Sequence, residues 1–210
     1  MNDNIVLVLS PHTDDGELGA GSTIARFLEE GRDLYYIAFS GCETSVPAGL
    51  AKNTLRKECK RSTATLGLQP KNIIILNYQV RTFPEHRQEI LENLIELKNK
   101  IKPGLVLVPS SDDMHQDHGV IYWESLRAFK KESSIWGYEH PWNNLTFTTD
   151  IFVKLKLEYV DLKIKALKEY KSQRDRSYMN EDNLRALICT RGSQLDVPYA
   201  EAFENVRLVY

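Results

Sequence analysis

The stretch IVLVLSPHTDDGELGAG, residues 5–21, decides how the chain is read. Its first part, Ile5 to Leu9, is a continuous apolar run closed by Ser10-Pro11. A run that is apolar at every position, rather than at alternate ones, fits a strand buried on both faces of a sheet. The polar turn Pro11 to Gly16 follows at once. Ile24, Ala25, Phe27 and Leu28 then recur at helical spacing until Gly31 stops the helix. Strand, polar turn, helix is the first unit of the fold.

Outward from that unit the pattern repeats. Residues 34–39 read as a second strand and 50–66 as a helix closed by Gly67. Residues 73–76 read as a strand, and 85–101 as a helix with Ile90, Leu91, Leu94, Ile95 and Leu97 on its inner face. Residues 105–108 read as a strand, followed by a helix from about 118 to 130. Repeated crossovers between purely apolar strands predict an α/β fold, a Rossmann-like three-layer sandwich with a mostly parallel sheet. Residues 135–138 and 151–153 are further strand candidates, 154–171 a long helix, and the last dozen residues a strand at the sheet edge. With 210 residues, no repeat and no Gly/Ser linker, the expectation is a single domain, 1–210.

Composition narrows the function classes. With 27 Lys+Arg against 29 Asp+Glu the net charge is −2, so binding nucleic acid through a broad basic surface is excluded. Apolar residues at 42% and charged residues at 27% exclude a disordered chain. The three cysteines, Cys42, Cys59 and Cys189, form no C-x-x-C pair, which is the usage of a reducing compartment. There is no basic secretory start and no run near the ~20 apolar residues of a membrane span. The expectation is a soluble, cytoplasmic protein.

In open parallel sheets, ligands bind beyond the carboxyl ends of the strands. That rule singles out residues 11–16, 40–44 and 110–118. In the first segment, His12 and Asp15 stand three apart in a tight turn, and imidazole with carboxylate suits a divalent ion such as Zn²⁺. Asp14 is then free to act as a general base beside the metal. The competing reading makes Asp14 or Asp15 a helix N-cap. The segment Asp112-Asp113-Met114-His115-Gln116-Asp117-His118 ends another parallel strand. One of its histidines can complete a His/Asp/His set, while the other faces the substrate with its tautomer fixed by a carboxylate. A polar surface loop is the alternative. Two other motifs fail: haloacid-dehalogenase chemistry needs carboxylates two apart, and Gly16-x-x-Gly19-x-Gly21 is not the dinucleotide fingerprint.

Pro11-His12-Thr13-Asp14-Asp15 after a buried first strand, with His115-Gln116-Asp117-His118 about a hundred residues on, resembles the PIG-L/LmbE family of zinc-dependent N-acetyl-sugar deacetylases. Arg56-Lys57-Glu58 with Leu66-Gly67, residues 163–173 and Tyr199 to Phe203 also resemble family patterns, so the likeness spans nearly the whole chain. Thr13 stands where the family usually has Pro, and Gly16 where an acidic or apolar residue is common. The resemblance implies one Zn²⁺ on His12, Asp15 and His118, with Asp14 as general base. It makes His115 the group that stabilises or protonates the collapsing intermediate, oriented by Asp117, and gives Arg56 and Tyr199 contacts to substrate. The implied substrate is an N-acetylated sugar or sugar conjugate, and oligomers occur in the family. Two alternatives use the same scaffold: an amidase on another N-acyl conjugate, and a non-catalytic metal or sugar-nucleotide binding protein.

Weaker signals remain. Cys42 reads as a buried, inert thiol. His86 reads as an exposed residue near a helix start. His140 lies in the aromatic stretch 136–142, where Trp142 either packs a sugar face or fills a small core. Residues 154–176 carry eight basic and four acidic side chains. They form either a solvated face or a rim that attracts a phosphorylated substrate.

Overall fold

A computed structural model describes residues 2–210. Seven strands form one sheet in the order β3-β2-β1-β4-β5-β7-β6. β1 (Asn2–Ser10), β2 (Asp33–Ala38), β3 (Ile73–Ile75), β4 (Pro103–Pro109) and β5 (Ser134–Tyr138) run parallel. β7 (Ala200–Arg207) is antiparallel to both β5 and β6 (Ile151–Lys154). The expected α/β three-layer architecture is present.

Helices cover both faces because the central strands are apolar on both. Val6 and Val8 of β1, with Leu105 and Leu107 of β4, pack into one core. That core also holds the inner faces of α1 (Asp15–Glu29), α2 (Thr54–Leu66), α5 (Leu157–Leu167) and α6 (Glu181–Ser193). Leu7, Leu9, Val106 and Val108 point the other way, onto α3 (Arg87–Ile101) and α4 (Gln116–Phe129). The period-two alternation of a strand divides one apolar run between two cores.

Four details differ from the sequence reading. α2 starts at Thr54 rather than at 50, because residues 50–53 turn instead, and Ala51 O accepts from Thr54 N at 2.9 Å. The expected long helix from 154 is shorter, with Lys154 closing β6 and α5 running only from Leu157 to Leu167. α6 was not anticipated; only Leu184, Ile188 and Gly192 of it are buried, a stripe too narrow to stand out as a pattern. The last strand does not lie at the sheet edge: β7 is inserted between β5 and β6, and β6 takes the edge.

Candidate metal centre

The carboxyl ends of β1 and β4 are neighbours in the sheet, so the turns that follow them meet. α1 begins at Asp15 directly after β1's turn, and α4 begins at Gln116 with His115 as its N-cap. Asp14 occupies the N-cap position of α1 but makes no side-chain capping bond. Asp15 instead accepts the His12 backbone N–H at 2.8 Å, closing the turn on itself. The capping explanation for the paired aspartates therefore fails, and both carboxylates are left for the cavity they line.

Three donor atoms converge there. His12 Nδ1 and His118 Nε2 each lie 3.2 Å from Asp15 Oδ2, and 3.3 Å from each other. Ligands at about 2.0–2.1 Å from a tetrahedral centre stand about 3.3 Å apart, so the triangle fits a small divalent ion. Asp15 and His118 are buried and His12 is half-buried. Two further histidines are close, giving the alternative groupings His12–His115–His118 and Asp15–His118–His140. Both ring nitrogens of His140 and one of His115 are otherwise engaged. His140 Nε2 lies 3.1 Å from the Asp15 carbonyl and its Nδ1 3.3 Å from Asp113, while His115 Nδ1 accepts the Asp117 N–H at 3.2 Å.

Outer carboxylates orient the imidazoles. Asp113 Oδ2 lies 2.7 Å from His118 Nδ1, which leaves Nε2 facing the triangle. Asp117 Oδ2 lies 3.0 Å from His12 Nε2, and its two oxygens also accept the N–H groups of Arg81 (2.6 Å) and Phe83 (3.3 Å). Asp117 was expected to orient His115 with its side chain; the carboxylate is aimed at His12 instead, and only its backbone N–H reaches His115. Below the turn, the Tyr36 and Tyr170 hydroxyls hold the Thr13 carbonyl at 3.1 and 2.6 Å and also reach the buried Glu17 carboxyl. A Cβ on Gly16 would lie 2.6 Å from the Tyr36 ring, so the position admits only hydrogen there.

The electrostatics follow from burial and proximity. Burial lowers the His12 pKa, but Asp15 and Asp117 outweigh it and bring the group up to about 10. His118 is likewise depressed by burial and then raised past it, by Asp15 and Asp113, to about 9. His115 goes the other way, down to about 4, through burial and repulsion from His118 and His12. Asp14 is pushed up to about 6 by burial and by the charge of Asp15. Opposed shifts among neighbouring groups are a mark of functional sites.

A cavity of about 270 Å³ opens over the triangle, with Asp14, His115, Trp142, Asn143, Gln173 and Tyr178 among its walls. That is the low end of the pocket range, room for about one sugar ring. Trp142 stacks between His140 and Tyr178, at 4.9 and 5.1 Å between ring centroids. Cys42 also lines it, in a left-handed backbone conformation (φ 56°), its thiol pushed up to about 12 by burial and by Asp14. An inert thiol was expected and that is its chemistry.

Arg56 and Tyr199 do not line this cavity. The Arg56 guanidinium is bound to Glu43, the carbonyls of Ile75 (3.1 Å) and Leu76 (2.8 Å), and Asn77 Oδ1 (2.5 Å), tying α2 to the end of β3. Tyr199 is half-buried against the core under β7. Nothing local in the sequence marks Asp113 or the Tyr36–Glu17–Tyr170 cluster, because their roles arise from contacts across 5 to 157 positions.

Comparison with known proteins decides what this arrangement belongs to. The family described as PIG-L, GlcNAc-PI de-N-acetylase, matches residues 7–129, which include both converging turns. The chain belongs to the PIG-L family. It is a hydrolase of the N-deacetylase type. A curated relative, the uncharacterized deacetylase YaiS of Escherichia coli, is 29% identical over 174 residues, covering 80% of this PIG-L chain and 90% of its own length. The diacetylchitobiose deacetylase of Thermococcus kodakarensis is 26% identical over 225 residues, covering 96% of this chain and 82% of its own. Among solved structures, the conserved protein TT1542 of Thermus thermophilus superposes with a TM-score of 0.79 at 25% identity, covering 100% of this chain and 97% of that one. Among the described residues, no helix is long and apolar enough to cross a membrane.

Proposed function

We propose that this PIG-L chain is a zinc enzyme that removes the acetyl group from an N-acetylglucosamine-type sugar or conjugate in the cytoplasm. The observation that carries the reading is the triangle of His12 Nδ1, Asp15 Oδ2 and His118 Nε2, each pair 3.2–3.3 Å apart, under a cavity that Asp14 and His115 also line. His12, Asp15 and His118 would hold Zn²⁺, which would supply a Lewis acid for the acetamide carbonyl and acidify water.

The other steps belong to side chains. Asp14, with a pKa about 6, is ionised at neutral pH yet close enough to it to take a proton from the attacking water. It can then return that proton to the departing amine, which leaves only when protonated. His115 accepts at Nδ1 from the Asp117 N–H, so its remaining proton is on Nε2. Its pKa of about 4 keeps it neutral, which makes it a hydrogen-bond donor to the developing oxyanion rather than a proton source. Trp142, 39% exposed at the cavity, offers an aromatic face to the sugar ring. The products are acetate and the free amino sugar. A larger acid in place of acetate would point to the amidase alternative.

Asp14→Asn tests the assignment. The amide keeps the shape but cannot take the proton, so kcat should fall by about 10²–10⁴, roughly 3–5 kcal/mol of barrier, with metal content unchanged. Acetate release within a few-fold of the parent protein would remove Asp14 from the mechanism.

A further inference from the structure

We propose that Arg81 and Arg176 form an anion subsite at the mouth of the cavity, so that the sugar acted on carries a phosphate or carboxylate close to its ring. This rests on the deacetylase reading above and names the substrate class within it.

Both arginines line the cavity over the metal-ligating triangle, Arg81 from the loop after β3 and Arg176 from the segment between α5 and α6. Among the described residues, neither guanidinium has a hydrogen-bond or ion-pair partner. Elsewhere the arginines are largely engaged: Arg26 with Glu30, Arg61 with Glu169, Arg87 with Glu124, Arg191 with Glu139. Two unpaired guanidinium forks at one cavity are the usual means of recognising a planar or tetrahedral oxyanion.

Arg81 is also held in place. Its φ of +72° is a left-handed conformation that a residue with a side chain seldom adopts, and its N–H donates to Asp117 Oδ2 at 2.6 Å. The same carboxylate bonds His12. The strained turn thus fixes the start of the Arg81 side chain relative to the reacting centre, an expense a merely solvated cation would not require.

The basic segment 154–176 supplies the second arginine by elimination. Lys163 is buried against Glu201, Lys156 pairs with Glu29, Lys168 with Glu181 and Arg174 with Asp175. Of the cations in that segment, Arg176 alone lines the cavity. Of the two readings of that segment, a solvated face describes most of it, and this one side chain is what reaches the cavity that Arg81 also lines.

The test compares kcat/KM for acetate release from N-acetylglucosamine, its 1-phosphate, its nucleoside-diphosphate conjugate and a carboxylate-bearing N-acetylhexosamine, with zinc supplied. Binding of the corresponding amino-sugar products is measured in parallel by calorimetry. At least one anionic sugar should be preferred over the neutral one by about tenfold or more, carried by KM and weakened by salt. The phosphate and carboxylate arms identify which oxyanion is meant. Arg81→Gln and Arg176→Gln should each reduce that preference several-fold, whereas Arg207→Gln, on β7 outside the cavity, should not. Equal use and equal binding of neutral and anionic sugars overturns the subsite, as does a preference that survives both cavity variants. If no sugar releases acetate but anionic products still bind in an Arg81- and Arg176-dependent way, the deacetylase reading fails and the subsite stands.

Discussion

At the residue scale, two histidines that must be unprotonated to bind a cation are the ones this protein stabilises as cations. Without metal, His12 and His118 hold protons up to about 10 and 9 through Asp15, Asp117 and Asp113. Their folded pKa values lie above the unfolded value of 6.5, so the ion pairs contribute their full stability below about pH 6.5 and lose it as pH rises through 9–10. A divalent ion bound there would take over the role of those protons. Zinc uptake at pH 7 should release about two protons, and affinity should rise with pH up to about 10. Calorimetry in two buffers of different ionisation enthalpy counts them; a count near zero would mean the imidazoles are already neutral. The two motifs single out His12, His118 and Asp14 as candidates, and the fold brings all three to one cavity. The direction in which Asp117 points is not legible in them, since a carboxylate one residue from Gln116 and two from His115 gives no sign that its partner is His12, 105 positions away.

At the element scale, the informative feature is a break in α1. Ala20 leaves helical geometry (φ −137°, ψ 17°), freeing backbone groups in the middle of a buried helix. Glu201 of β7 accepts from Ser22 N and Thr23 N at 3.1 and 2.7 Å, and Lys163 of α5 donates to Leu18 O at 2.7 Å. The two side chains meet at 2.7 Å and both are buried. Gly21 belongs to this arrangement, because a Cβ there would come within 2.8 Å of the Lys163 chain. Lys163→Met leaves the buried Glu201 carboxylate without its counter-charge and should cost about 3–5 kcal/mol in urea unfolding at neutral pH. A loss under about 1 kcal/mol would show that the pair is not what seals the break. The sequence contained the resemblance of residues 163–173 and 199–203 to family patterns, but not that the two segments share one contact.

At the scale of the whole molecule, the centre is assembled from the first turn, the β4–α4 loop and the segments around His140 and Gln173, which lie in different layers. An ion at the triangle would bind only the folded chain and would tie β1's turn to α4. Zinc at about 100 times its Kd should stabilise the fold by about 2.7 kcal/mol, so a chelator should lower Tm by roughly 5–10 °C. An unchanged Tm on chelation, with the ion shown to leave, would mean that the ion does not favour the folded chain over the unfolded one.

The order of strands and helices through α4 was written in local pattern, because a strand buried on both faces and a helix with one apolar face each leave a period that needs no neighbour to be seen. The two metal-loop motifs were legible for a similar reason: each is a short run at a predictable place in a parallel sheet. The insertion of β7 between β5 and β6, the removal of Arg56 and Tyr199 from the cavity, and the joining of Arg81, Trp142 and Arg176 to it depend on which surfaces meet. Those are contacts between segments with no shared periodicity, and only the packed tertiary structure decides them.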